Sequence, residues 1–264
     1  MVPHRMLQGS GPGSQRPERD RPEPGTVGCQ SSGSQILDVV FLPPPSLAER
    51  VVRESRALAA QMRHAGNPSH FVLAGSAPGG GTGVCAPHVS LFMLTADPAD
   101  LPAVLRALRA VAAASAPVPA VGRAYTHNPH GAPELHFAGS PAWTALQRRV
   151  VAAFEPLRRG RQRTVDPAGV PLATVLADDN AATSARRRQL LTYGYDEITD
   201  DLDDRFRPHI TLAWPERDSP AIPLDSLQPA TDVQATFDHL AVHSMSAWGT
   251  CTVSHGTARL TGPR

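Results

Sequence analysis

With 264 residues, 41% of them hydrophobic, the chain is long enough for one large domain or two fused small lobes around a real core. A net charge of +1, from 25 basic and 24 acidic side chains, argues against gripping long nucleic acid by bulk charge, but leaves room for a nucleotide or an RNA end held by a few local arginines. No window approaches the run of about 18 apolar residues that a membrane span needs. The first residues lack the apolar stretch of a signal peptide. Three distant cysteines without a C-x-x-C pair (Cys29, Cys85, Cys251) signal neither a disulfide framework nor a zinc knuckle, so a reducing cytoplasm is the expected setting.

Residues 1–34 are rich in Gly, Pro, Ser, Gln and Arg, a composition that cannot offset the entropy of ordering; they are expected to form a disordered tail ahead of a single domain over 35–264. The run Ile36-Leu37-Asp38-Val39-Val40-Phe41-Leu42 predicts a buried strand stopped by Pro43-Pro44-Pro45. Ser46 can cap a helix to about His64, with Leu47, Val51, Leu58 and Met62 on one face. A second strand is expected at His70 to Leu73, leading into the glycine-rich loop Gly75 to Gly83. His88 to Leu94 predicts another buried strand, followed by a helix capped at Asp97, with Pro98 in its first turn, reaching about Ala114. Strands follow at 118–126 and 133–138, and Ser140 with Pro141 opens a helix through Trp143, Leu146, Val150 and Phe154. A helix is expected from about Asp179 to Tyr193, a strand from His209 to Trp214, and two closing strands at 232–243 and 248–260. Alternating elements that end in an antiparallel stretch suggest an α+β fold with helices packed on curved sheets.

Two pentapeptides carry the functional reading. Pro87-His88-Val89-Ser90-Leu91 and Pro208-His209-Ile210-Thr211-Leu212 share Pro, His and Leu, and exchange Val for Ile and Ser for Thr. Each copy opens an expected strand, and they lie about half the ordered chain apart, so duplicated lobes are the first architecture to consider. In a strand, residues i and i+2 share a face. His88 and Ser90 therefore project together, as do His209 and Thr211, while Val89, Leu91, Ile210 and Leu212 face the packing behind. Two such strands side by side would deliver two imidazoles and two hydroxyls to one cleft. A neutral imidazole can take a proton from an attacking hydroxyl while an imidazolium gives one to the leaving oxygen. The hydroxyls can donate to non-bridging phosphate oxygens as charge builds there. No metal is needed for this chemistry, and none is expected.

The paired segments resemble the His-x-Thr/Ser-x motifs of the two-histidine (2H) phosphoesterase superfamily, which includes bacterial 2′-5′ RNA ligase/RNA cyclic phosphodiesterase proteins and plant cyclic nucleotide phosphodiesterases. The resemblance implies a bilobal duplicated α+β fold, with two curved antiparallel sheets lining a central cleft and helices outside. It implies His88 and His209 as catalytic residues, Ser90 and Thr211 on the substrate, and activity on 2′,3′-cyclic phosphates or 2′-5′ linkages. Serine in the first motif keeps the hydroxyl. The glycine-rich loop and the 158–205 segment match no subfamily pattern.

Other residues have plainer readings beside the functional one. His88 and His209 could be strand-start histidines bonded to nearby backbone. Gly79 to Gly83 lacks both the P-loop ending and the dinucleotide spacing, so a flexible loop near the cleft is expected. Arg158, Arg159, Arg161, Arg163 and Arg186 to Arg188 read as solvated faces from which one or two cations could reach a phosphate. Arg207 is an equal bet for that contact. Tyr125 and Tyr193 are expected to stack on a base or line the rim, with His127 and Tyr195 in similar settings. The groups His127, His130, His136 and His239, His243, His255 match no zinc motif. Asp200 to Asp204 reads as solvated loop. Ser90 lacks the G-x-S-x-G nucleophile elbow.

The expected function is therefore a metal-independent hydrolase acting on a small nucleotide or RNA terminus, without cofactor, as a cytoplasmic monomer. The Ala-, Arg-, Pro- and Gly-rich composition is consistent with a GC-rich bacterial genome. Two other classes remain open: a nucleotide sensor that binds without turnover, and a secondary-metabolism enzyme using the cleft on a substrate without phosphate.

Overall fold

The computed structural model describes residues 33–165, 171–177, 184–194, 206–218 and 221–263. Expectations for the N-terminal tail, Tyr195 and the Asp200 to Asp204 run lie outside them.

The chain opens with β1 (Gln35–Leu42) and, after the triple proline, α1 (Pro45–His64). α1 begins with Pro45 in its first turn and Pro44 as cap residue, so proline's fixed backbone takes the part expected of Ser46. β2 (Val89–Ala96) leads through a 3-10 turn at Pro98–Asp100 into α2 (Leu101–Ala113). The Asp97 side chain makes no capping hydrogen bond; it pairs with Arg161 instead. β3 (Val118–His127), β4 (Pro133–Phe137) and α3 (Pro141–Phe154) follow. Ser140 caps α3 as expected, accepting from the Trp143 N–H. α4 (Leu172–Ala177) and α5 (Ser184–Tyr193) lead to β5 (His209–Thr211), and β6 (Gln234–Phe237), β7 (His239–Met245) and β8 (Cys251–Arg259) close the fold.

Two readings are corrected. Residues 70–73 form no strand: Phe71 and Leu73 are buried, but their backbone runs through a turn held by His70 N–H to Trp214 O and Leu73 N–H to Ser55 Oγ. Apolar burial alone mimicked a strand there. The strand opened by His209 stops at Thr211, short of Trp214.

The strands form two four-stranded antiparallel sheets, ordered β2-β1-β7-β8 and β5-β4-β3-β6. This is the expected α+β duplication. In each sheet the strand opened by a histidine motif is an edge strand, hydrogen-bonded on one side only. α2 packs on β7 and β8, and α3 packs on β2 and β3, spanning both sheets. The core is continuous across the lobes. Trp143 of α3 meets Phe41 of the first sheet edge-on at 5.5 Å, and Phe137 and Phe237 of the second at 6.2 and 5.4 Å. Among the described residues no helix is long and apolar enough to cross a membrane.

Candidate active site

β2 and β5 touch, so the free edges of the two sheets meet at the two motifs. His88 stands just ahead of β2 and His209 opens β5. Their surroundings match in one decisive respect. His88 Nδ1 lies 2.7 Å from the carbonyl of Ala86, and His209 Nδ1 lies 2.8 Å from that of Arg207. A carbonyl only accepts, so Nδ1 carries the proton in both rings and donates it. Each neutral imidazole therefore presents the lone pair of Nε2. The two rings are close enough to feel each other's charge. His88 is held below its ordinary pKa by burial first; the Ala86 carbonyl opposes this, a charge on His209 adds to it, and the Gly249 backbone opposes it again.

Each Nε2 faces a buried carboxylate that the motifs do not contain. Asp38 Oδ2, on β1, is 4.0 Å from His88 Nε2, and Glu134 Oε1, on β4, is 3.8 Å from His209 Nε2. Asp38 is fully buried and Glu134 is 2% exposed, a cost that polar partners must offset. Asp38 accepts from Ser90 Oγ at 2.6 Å and from Cys251 Sγ at 3.5 Å. Glu134 accepts from His136 Nε2 at 2.8 Å, and the His136 ring stacks on that of His209 at 5.3 Å. Burial pushes the Glu134 carboxyl up, but His209, His136 and Asn128 together outweigh it and hold the pKa below the usual range. Glu134 is thus an ionised carboxylate beside the His209 ring.

The carboxylates are not equivalent by register. Glu134 lies opposite Thr211, whereas Val40 lies opposite Ser90 and Asp38 two pairs further along, opposite Met93 and past a bulge. The histidines hold matching positions in the two sheets; the acids beside them do not. His243, on β7, is the register partner of Asp38 and shares its face.

The other expected site residues divide. The Ser90 and Thr211 positions flank the histidines, but the Ser90 hydroxyl proton is directed at Asp38. Arg207 contributes its carbonyl, and its side chain is exposed. Tyr125 is drawn elsewhere, donating to Glu54 Oε1 at 2.8 Å and accepting from Arg50 at 3.1 Å, which ties β3 to α1. Burial, then Glu54, raises its pKa. Tyr193 packs edge-on against Phe92 at 6.4 Å. Of the arginines, Arg158 holds the Arg161 and Thr192 carbonyls, Arg159 and Arg161 pair with Asp100, and Arg163 is buried against Met93 Sδ at 3.7 Å. Gly83 is a packing residue rather than a phosphate cradle: with φ +96°, a Cβ there would lie 2.0 Å from the Thr252 carbonyl on β8.

Residues that sequence reasoning missed are Asp38, Glu134, Cys251 and, from the two histidine groups, His136 and His243. Asp38 carried a signal, being the lone charge inside an apolar strand. Cys251 carried none. Among the described residues, Asp38, His88 and Cys251 form the group able to hold a metal ion, their ligand atoms all lying within 4.8 Å of one another.

The two antiparallel sheets, meeting at the edge strands that carry the paired motifs, define an α+β fold with solved counterparts. Among solved structures it is similar to TT0787 of Thermus thermophilus, at a TM-score of 0.51 and 17% identity, over 87% of this chain and all of that one. It is also matched to E. coli LigT complexed with 3′-AMP (TM-score 0.44, 17% identity, 87% of this chain and 99% of that one). A further match is a structure described as a phosphoesterase (0.44, 14%, 86% and 98%). At these identities the likeness is one of fold. No protein-family model matches the chain, and no curated protein does.

Proposed function

We propose that the chain is a metal-independent phosphoesterase that opens or transfers a phosphodiester on a small nucleotide or RNA end, a 2′,3′-cyclic phosphate being the leading substrate. The observation that carries this is the matched tautomer of the two histidines: each Nδ1–H is given to the carbonyl two residues before it, so proton transfer at either ring runs through Nε2. The surroundings also support different roles. His88, kept neutral by burial, suits the base; His209, beside the ionised Glu134, suits the acid. Thr211, Ser90 and Arg207 would hold the phosphate, Ser90 only after its hydroxyl turns from Asp38.

The test is turnover of 2′,3′-cyclic nucleotides and of 2′-5′ and 3′-5′ dinucleotides in EDTA. Wild type is expected to hydrolyse at least one class, with either His88→Ala or His209→Ala lowering kcat by about 10²–10⁴-fold. Because the base must be neutral, the acidic limb of kcat/KM should fall below pH 6.5, the ordinary histidine value. No turnover with retained nucleotide binding would replace the enzyme by a sensor. One observation favours a further reading: two buried carboxylates beside the Nε2 atoms oppose a dianion. Neither binding nor turnover across the panel would move the site to a substrate without phosphate.

A further inference from the structure

On the Asp38 side of the site, donor atoms of three chemical kinds converge. The tautomer of His88 directs a lone pair from Nε2 toward a buried carboxylate oxygen 4.0 Å away. Two acceptor atoms this close in a largely buried pocket suit a cation between them. A third donor atom converges on the same point. Cys251, the first residue of β8, is fully buried and has its Sγ 3.5 Å from Asp38 Oδ2. A fourth group flanks it. His243, 5% exposed, shares the face of Asp38, and neither of its ring nitrogens has a hydrogen-bond partner among the described residues. An imidazole buried with both nitrogens unused is costly, and it becomes useful where a ligand arrives.

We propose that Asp38, His88 and Cys251 bind a thiophilic divalent transition metal ion of the zinc class, and that the bound ion switches the two-histidine site off. One oxygen, one nitrogen and one sulfur suit such an ion better than magnesium or calcium, which prefer oxygen alone. Ligand bonds of about 2.0–2.3 Å require donor atoms some 3.3–3.7 Å apart, so the 4.0 Å oxygen–nitrogen pair must close by about 0.7 Å, and the set, whose atoms lie within 4.8 Å of one another, by about 1 Å at its widest. The Nδ1–H to Ala86 contact is the support that zinc-bound histidines use to fix ring and tautomer. The fourth position is open to His243 or water. Binding converts the Cys251 thiol to thiolate, its proton passing to solvent. Without an ion, burial and Asp38 keep that thiol protonated and unreactive. With the ion bound, the His88 lone pair is on the metal and can no longer take a proton from substrate. Metal binding does not depend on the phosphoesterase reading; the inhibition does.

The reduced, EDTA-stripped full-length protein would be titrated with Co²⁺ as the optical stand-in for zinc. One ion per chain is expected, with tetrahedral visible bands and a near-ultraviolet thiolate-to-cobalt band, all displaced by Zn²⁺. Cys251→Ser should lose the thiolate band, Asp38→Asn and His88→Gln should weaken binding by about tenfold or more, and Cys85→Ser should change nothing. Cadmium-113 NMR of the wild type, giving one resonance in the one-sulfur range, makes the same test without any variant. Absence of a thiolate band at one equivalent, or a band that survives Cys251→Ser, overturns the site. Zn²⁺ is expected to suppress cyclic-phosphate turnover by about tenfold or more, each protein being compared with its own EDTA-treated rate. Undiminished turnover at saturating Zn²⁺ overturns the switch. A cobalt site in a protein inert toward the substrate panel would uphold the metal proposal while the phosphoesterase reading falls.

Discussion

His243 is a buried side chain, 5% exposed, whose protonation the fold opposes. Burial, with added push from His88 and His255, lowers its pKa from 6.5 to about 4. The unfolded chain thus takes up a proton at this residue near pH 6.5, and the folded chain only near 4. Between those values the unfolded state binds more protons, so the stability contributed by neutral His243 is complete above 6.5 and is lost as pH falls toward 4. His88, also lowered, acts in the same direction. The drop in Tm between about pH 7 and pH 5 should be smaller in His243→Leu than in wild type; an equal drop would show that this ring is not the sensitive group. Gly83 gives a second residue-level expectation. Its positive φ and the Thr252 carbonyl 2.0 Å from an added Cβ forbid any side chain. Gly83→Ala should cost about 1–3 kcal/mol in urea unfolding or displace the loop from β8. Gly79, whose Cβ would meet nothing within 4 Å, should cost less.

At the scale of elements, α3 does the most to join the lobes. Its cap, its opening proline and its apolar period make it legible in the sequence, with Trp143 on its inward face. What the period does not reveal is that this face packs against both sheets at once. Trp143, 1% exposed, contacts rings from β1, β4 and β6 as well as Phe206. Trp143→Ala is expected to cost about 3–5 kcal/mol in denaturant midpoint measurements, more than truncation of a residue serving one lobe. The strands are less legible than the helices. Residues 70–73 read as a strand because Phe71 and Leu73 are apolar and buried, yet the nearest pairing among the described residues is an isolated bridge from Ser69 to Pro215. Similarly, the motif pentapeptides announce two histidines, but Asp38 and Glu134 lie on partner strands that only antiparallel pairing brings alongside. A pattern read along the chain sees period and repeat; it cannot see across a sheet.

For the molecule as a whole, duplication has not produced two independent units. One cluster of buried side chains runs from Leu37 through Trp143 to Phe237 and Leu260, crossing both sheets. Unfolding should therefore be a single cooperative transition, with calorimetric and van't Hoff enthalpies in agreement. Two separable transitions would mean that the lobes are held together more loosely than this core implies.

The mismatch in register between Asp38 and Glu134 has a consequence for regiochemistry. A pair of histidines related by a twofold axis, each with an identical acid, would accept a cyclic phosphodiester equally well in either of two flipped poses. Here one imidazole is backed by an ionised glutamate and a stacked ring, the other by an aspartate shared with a serine and a thiol. The exchange symmetry of the site is broken. A five-membered cyclic phosphate carries two inequivalent ester oxygens, and a site of this kind would protonate only one of them. Which ester bond opens would then be written in the strands beside the motifs rather than in the motifs themselves.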